Sequence, residues 1–272
     1  MITLTKHHGL GNDFLVCDTS AIEGQPHWPE LAQRWCQRRV GIGADGLLLL
    51  GFIDPNQLTM TLFNGDGSRA EISGNGIRCL AQAAFMIQGR HGSAEYLVQT
   101  DAGPKHVKVE CVNAREVVAS VSMGLVEILS PPAGWDQIGA DAGRPVAHIG
   151  LGNPHSVVAV DDISQVDLLS LGQMVPQVNL EIIQCGPTPD SIVMRVHERG
   201  AGITQACGSG ACASAVAAAR WGLASPVNGE IHVHMAGGRA TVRLDHPEPG
   251  YTTLVGPAVF VATIQIETIE TL

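Results

Sequence analysis

Clusters of basic residues are missing from this chain. Lys and Arg number 16 against 26 Asp and Glu, the net charge is −10, and no run of Lys or Arg occurs. Surfaces for phosphate backbones or anionic lipid are built from such runs, so no nucleic acid and no membrane is expected as a partner, and a small solute is. Long apolar stretches are missing too: none approaches the roughly 18 residues of a membrane span. The N-terminal Met1-Ile-Thr-Leu-Thr-Lys-His-His has no signal-peptide core, which points to a cytoplasmic protein. The 7 cysteines are odd in number, scattered and without CxxC spacing, so neither a disulfide framework nor a zinc site is indicated. Aromatics make up only 4%, whereas Gly (32) and Pro (15) are plentiful. Short β-branched segments between such punctuation predict many short strands.

What stands out is Cys207-Gly-Ser-Gly-Ala-Cys212, which opens a run of small apolar residues ending at Trp221-Gly222. A thiol at a helix mouth, beside glycines that leave backbone N–H groups bare, reads as an anion site and as a reactive thiol of lowered pKa. The same turn is written at Ser73-Gly-Asn-Gly76, ahead of an apolar run to Ile87 and a glycine at 89. Gly150-Leu-Gly-Asn153 likewise copies Gly9-Leu-Gly-Asn12 letter for letter, and Glu198 precedes Cys207 by the same interval that separates Asn64 from Ser73. Matched turns in the same order indicate an internal duplication.

Along the chain, strands are expected at 2–5, 14–17, 47–52, 58–63, 95–100, 105–110 and 117–123, with a helix over 28–40. In the second half strands are expected at 178–183, 192–196, 230–235, 240–244, 251–255 and 258–267, with a short polar helix over 161–171. Gly41-Ile-Gly-Ala-Asp-Gly46 is formally a GxGxxG, but it precedes a strand instead of following one, so it reads as a turn. The two small-residue helices are apolar nearly all round and must be wrapped on every side. The fold class is therefore α+β, with two pseudo-symmetric domains, each a curled, mainly antiparallel sheet around one central helix. Their boundaries are set at 1–117 plus about 258–272, and 118–257, with the helix mouths facing one another across a cleft.

Two such mouths could hold one small carboxylate, leaving Cys207 on one face of the ligand and Ser73 on the other. Two proton-carrying groups on opposite faces of an α-carbon are what inversion of a stereocentre requires, with Glu198 and His155 as candidates to relay or hold the proton. Plainer readings compete. Cys79 and Cys212 read as core packing, His232 and His234 as a solvated strand face without a third metal ligand, and His155 beside Pro154 as a turn histidine unless the duplication assigns it more.

With these motifs assembled, the chain resembles the diaminopimelate epimerase family over nearly its full length. The resemblance is carried by His8-Gly-Leu-Gly-Asn-Asp-Phe14, Gly41–Gly46, Asn64-Gly-Asp-Gly-Ser68, Ser73-Gly-Asn-Gly-Ile-Arg78, Gly152-Asn-Pro-His155, Glu198-Arg-Gly-Ala-Gly202 and Cys207–Cys212. It implies a cofactor-independent interconversion of LL- and meso-diaminopimelate, with no metal, in a homodimer whose dry cleft closes on substrate. Position by position, it implies that Asn12, Asn64, Asn153, Asn179, Glu198 and Arg199 bind the distal end, and that Gly74, Asn75, Gly208 and Ser209 hold the reacting α-carboxylate. The catalytic set would be Cys207, Ser73, His155 and Glu198. One position departs: the family has a second catalytic cysteine where this chain has Ser73, and a hydroxyl is a far poorer base than a thiol. An engineered substitution, a natural Ser/Cys racemase or epimerase of another amino acid such as hydroxyproline, and a catalytically silent amino acid binder all fit that residue. A dehydratase or another isomerase on the same scaffold is a further alternative.

Overall fold

A computed structural model describes residues 2–22, 24, 26–139 and 143–266. The chain divides into two compact units, one made of the residues up to Val121 together with those from Gly256 onward, the other Ser122–Val255. The first contains β1 (Ile2–Gly9), β2 (Asn12–Asp18), α1 (Trp28–Cys36), β3 (Gly46–Asp54), β4 (Gln57–Asn64), β5 (Arg69–Ala70), α2 (Gly74–Ile87), β6 (Ser93–Thr100), β7 (Gly103–Cys111) and most of β8 (Glu116–Leu125). The second contains β9 (Glu127–Ile128), β10 (Val146–Gly150), β11 (Pro154–Ala159), α3 (Leu168–Met174), β12 (Asn179–Cys185), β13 (Ser191–Glu198), β14 (Gly202–Ile203), α4 (Gly208–Trp221), β15 (Glu230–Met235) and β16 (Gly238–Leu244). The last strand, β17 (Tyr251–Ile266), starts in the second unit and ends in the first.

The duplication inferred from the sequence is a duplication of topology. In the first unit β1–β2 is antiparallel, β2–β3 parallel, β3–β4 antiparallel, β4–β6 parallel and β6–β7 antiparallel. In the second, β10–β11, β11–β12, β12–β13, β13–β15 and β15–β16 repeat those relations in the same order. Each set closes on one helix. Residues Gly74–Phe85 of α2 and Gly208–Ala218 of α4 are all buried, because α2 packs on β1, β2, β3, β4 and β7, and α4 on β10, β11, β12, β13, β15 and β16. With no polar side to show, such a helix is stable only inside a sheet. The fold is α+β, as the pattern predicts.

Where a second helix covers a sheet from outside, its strand is buried on both faces. Leu47 and Leu49 of β3 pack with Leu31, Ala32 and Trp35 of α1, and Leu180 and Ile182 of β12 pack with Leu168 of α3 and with Val175. Alternation then sends the residues between them inward: Leu48 in the first unit and Glu181 in the second, both at 0% exposure.

Three elements differ from expectation. The helix predicted over 28–40 stops at Cys36, because the carbonyl of Trp35 accepts the N–H groups of Ile42 and Gly43 and that of Cys36 accepts Ala44 N–H, folding the chain back. The helix predicted over 161–171 is a 3₁₀ turn, Ile163–Gln165, followed by α3, since Asp162 and Asp167 each cap a separate start through Ser164 and Ser170 N–H. The strands predicted at 251–255 and 258–267 are one strand, β17, whose partner changes from β16 (up to Val255) to β1 (from Val259). Pro257 lies at that change of partner, where no ladder N–H is required. Residue 267 and the rest of the expected C-terminal boundary lie outside the described residues.

Arg78 fastens the first unit. It lies one turn into α2 with 0% exposure and donates from Nη1 to Gly74 O (2.8 Å), from Nη2 to Asn75 Oδ1 (2.8 Å) and from Nε to Pro257 O (3.2 Å). Glycine at position 9 leaves the guanidinium its room, as a Cβ there would lie 3.0 Å from Arg78 Nη2. Removing the guanidinium would leave buried acceptors bare, so Arg78→Met is expected to destabilise the protein by about 3–5 kcal/mol. Urea unfolding measures this, and a loss below about 1 kcal/mol would show the guanidinium not to be structural.

Candidate active site

The two central helices begin in the same way. Ser73 caps α2 with φ −133° and ψ 123°, its Oγ accepting Gly76 N–H at 3.0 Å. Cys207 caps α4 with φ −124° and ψ 117°, its Sγ accepting Gly210 N–H at 3.4 Å. First-turn N–H groups have no acceptor within their own helix, and the dipole adds positive potential there, so Gly74 and Asn75, and likewise Gly208 and Ser209, stand where an anion is favoured. The mouths differ in exposure: Ser73 is half-buried and Cys207 is 4% exposed.

In the first unit the ends of β2, β3 and β4 lie side by side, with Phe14 opposite Gly46 and Gly46 opposite Asn64. Asn12 therefore lies next to the Gly41–Gly46 turn, which supplies Asp45. Asp45 Oδ2 accepts from Asn12 Nδ2 at 2.7 Å and from Asp13 N–H at 3.0 Å, while Asn12 Oδ1 accepts from Asn75 Nδ2 at 3.1 Å. Arg38 binds both Asp13 and Asp45, and Lys6 binds Asp13 at 2.9 Å. Burial raises the Asp13 carboxyl, but hydrogen bonds from Arg38 and Lys6 outweigh it and hold Asp13 below the usual carboxylate range. The structure thus joins Asn12, Gly74 and Asn75 through hydrogen bonds, whereas Asn64 donates to Ser68 Oγ at 3.0 Å in its own turn.

In the second unit the ends of β11, β12 and β13 align equivalently, His155 opposite Asn179 and Leu180 opposite His197. Asn179 ties these ends together, donating to Pro154 O at 3.3 Å and accepting Arg199 N–H at 2.8 Å. Arg199 is exposed, and Glu198 Oε1 accepts a short hydrogen bond from Thr204 Oγ1. His155 is buried with both ring nitrogens engaged, Nε2 to Asn153 Oδ1 at 2.9 Å and Nδ1 to Glu181 Oε1 at 2.6 Å. Asn153 Nδ2 in turn donates to Ser209 Oγ at 3.3 Å, and Ser209 Oγ lies 3.7 Å from Cys207 Sγ. His155 is thus connected to the thiol through Asn153 and Ser209.

Two of these partners were not singled out from the sequence. Arg78 is, in the sequence, only the last residue of the Ser73–Arg78 motif. Glu181 left one signal, a carboxylate in the middle of Asn179-Leu-Glu-Ile-Ile183, a run apolar enough to be buried on both faces. Among the described residues, no group of three His, Cys, Asp or Glu could hold a metal ion, and no helix is long and apolar enough to cross a membrane.

The expected lowering of the Cys207 pKa is overturned. Burial pushes the thiol well above its ordinary value, and the charge of Glu198 pushes the same way; the N–H of Gly210 and the hydroxyl of Ser209 pull back only in part. A helix N-terminus contributes at most about 2 kcal/mol, too little to offset removal of a thiolate from water near the Glu198 carboxylate. Cys79, inside α2, is raised by burial to about 12 and stays an inert thiol.

A protein-family profile described as diaminopimelate epimerase matches residues 4–129 and 147–261. A diaminopimelate epimerase of Thermosynechococcus vestitus is 37% identical over 284 residues, covering 96% of this chain and 97% of that protein. One from Bacteroides thetaiotaomicron is 35% identical over 274 residues, covering 98% of both. Among solved structures, a predicted epimerase from Pseudomonas aeruginosa superposes with a TM-score of 0.75 at 15% identity, covering 98% of this chain and all of that one. This last likeness is one of fold.

A thiol held neutral reacts slowly with alkylating agents, because the thiolate is the nucleophile. Alkylation of Cys207 by iodoacetamide, followed by peptide mass spectrometry, is expected to be slow at pH 7 and still rising with pH beyond about 9, since burial holds the folded thiol well above its ordinary value. A plateau reached below pH 8 would contradict this ordering of burial over the helix dipole.

Proposed function

Because this chain belongs to the diaminopimelate epimerase family, a family of isomerases, we propose that it interconverts LL- and meso-diaminopimelate by moving a proton at one α-carbon. The carrying observation is the repeated helix mouth, with Ser73 and Cys207 in one cap geometry at the start of two equivalent buried helices. In this reading Cys207 is one proton-transferring group and position 73 the other. Gly74, Asn75, Gly208 and Ser209 hold the α-carboxylate, and Asn12, Asn64, Asn153, Asn179, Glu198 and Arg199 recognise the distal amino acid end. No cofactor takes part, since the α-proton is moved by side chains alone.

Inversion by two groups needs one of them ionised while the other carries a proton. So little of a serine hydroxyl is ionised near neutrality that only Cys207 can take a proton at a useful rate. The isomer whose α-hydrogen faces Cys207 should therefore exchange into deuterated water, at a rate rising with pH, and the other isomer should exchange far more slowly. Cys207→Ala should abolish this exchange; retention of most of it would refute the assignment. A general base contributes about 10²–10⁴-fold, so Ser73→Cys should raise epimerisation at least about a hundredfold. Ser73 also favours a second reading, a silent binder of diaminopimelate. Calorimetric binding without any pH-dependent wash-out of the α-hydrogen would select it. Little change in Ser73→Cys, with comparable exchange from both isomers, would select a Ser/Cys enzyme instead.

A further inference from the structure

The two units make the same contact with opposite polarity. In the first, the residue at the helix mouth donates to the turn asparagine: Asn75 Nδ2 to Asn12 Oδ1, 3.1 Å. In the second, the turn asparagine donates to the helix mouth: Asn153 Nδ2 to Ser209 Oγ, 3.3 Å. The direction of each chain is set by what lies behind it. Arg78, which can only donate, stands behind Asn75. Behind Asn153 stand His155 and Glu181.

Donor and acceptor parity fixes the protons along the second chain. Since Asn153 spends its amide nitrogen on Ser209, its Oδ1 faces His155, and His155 Nε2 must carry a hydrogen. Its Nδ1, 2.6 Å from Glu181 Oε1, then either accepts a hydrogen bond from the O–H of a carboxylic acid or, as imidazolium, donates to a carboxylate. Glu181 is 0% exposed, and its Oε2 has no hydrogen-bond partner among the described residues. A buried ionised carboxylate with a bare oxygen is the costlier arrangement, whereas an acid needs only to donate once. Among the facing side chains of the described residues only His155 favours ionisation, since Glu198 from β13 is acidic and Cys207 from α4 is neutral when protonated; the backbone hydrogen bond at Glu181 also favours it but is outweighed by burial. Burial raises Glu181 in the same direction. Space for the acid is also provided, because a Cβ on Gly210 would lie 2.5 Å from Glu181 Oε1. At the equivalent place in the first unit, Gly76 faces Leu48.

We propose that Glu181 is a positioning residue which, as the un-ionised acid, starts a one-way chain of hydrogen bonds through His155 and Asn153 to Ser209, leaving the Ser209 hydroxyl hydrogen to be donated at the mouth of α4. Hydrogen bonds aligned in this way polarise one another, so the acid strengthens donation to a carboxylate it does not touch. An un-ionised Glu181 also leaves Glu198 as the charged carboxylate nearest the thiol. The role rests on the reading of Ser209 as a contact of the α-carboxylate, but the proton arrangement does not.

The test has two arms. In the full-length protein labelled with ¹⁵N-histidine, the His155 ring, assigned by its loss in His155→Gln, should be neutral at pH 7 with hydrogen on Nε2 and a bare Nδ1. An imidazolium, or hydrogen on Nδ1, overturns the proposal whatever the protein binds. In the second arm, diaminopimelate affinity is measured by calorimetry. Glu181→Gln keeps a donor facing Nδ1 and should bind as the parent does, with an unchanged pH profile of Cys207 alkylation. Glu181→Leu, which copies the first unit, should weaken binding about tenfold or more, the scale on which losing the partner that orients a histidine acts. A Gln variant as impaired as the Leu variant, or a Leu variant that binds normally, overturns the proposal. If the parent itself binds no diaminopimelate, the proposed function fails and the ring protonation still decides this inference.

Discussion

A helix without a polar face can present polar groups only at its ends, and this constraint organises both units. Once α2 and α4 are enclosed by strands, the first turn of each offers backbone donors without helical acceptors together with the positive end of a dipole. The residue that caps that turn is brought to the same spot. Ser73 and Cys207 are thus held in place by the helix start itself, and the neighbouring strand ends bring Asn12 and Asn64 in one unit, and Asn153, Asn179 and Glu198 in the other, to the same end of their sheets.

Onto that repeated frame the two halves have written different electrostatics. The first surrounds its helix mouth with full charges, Arg78 beneath and Asp13, Asp45, Arg38 and Lys6 to one side. The second uses a buried acid and an imidazole where the first has Leu48 and Phe14. Strand register makes the comparison possible, since Phe14 pairs with Gly46 as His155 pairs with Asn179. A duplicated scaffold can therefore keep two helix starts alike in geometry while tuning their protons separately.

Much of this was legible because it is encoded locally. Matched Gly-Leu-Gly-Asn turns, matched helix caps and all-round apolar helices are properties of short segments, and the topology follows them closely. Less was legible where a residue's environment depends on strands distant in sequence. Glu181 reads as an oddity in a strand until β11 brings His155 beside it. The thiol of Cys207 looks activated from its helix position alone, and the burial and the Glu198 carboxylate supplied by β13 reverse that. The end of α1 was missed for a related reason, as the carbonyls of Trp35 and Cys36 are taken by Ile42, Gly43 and Ala44 in a turn with no periodic signature.

The strand β17 has a further consequence, for the order in which the chain can be assembled during synthesis. Its second half pairs Val259–Ile266 with Ile2–His8, so the edge of the first unit is completed by residues made only after the second unit. The second unit, Ser122–Val255, is continuous in sequence and can be assembled before that. Domains commonly fold from the N-terminus as they emerge, and here that sequence is inverted: the N-terminal half must wait, with the edge of β1 open, for the closing strand. Loop-closure entropy makes such a distant pairing slow to find, so the interval before β17 is made is when the nascent chain is most exposed to mispairing at that edge.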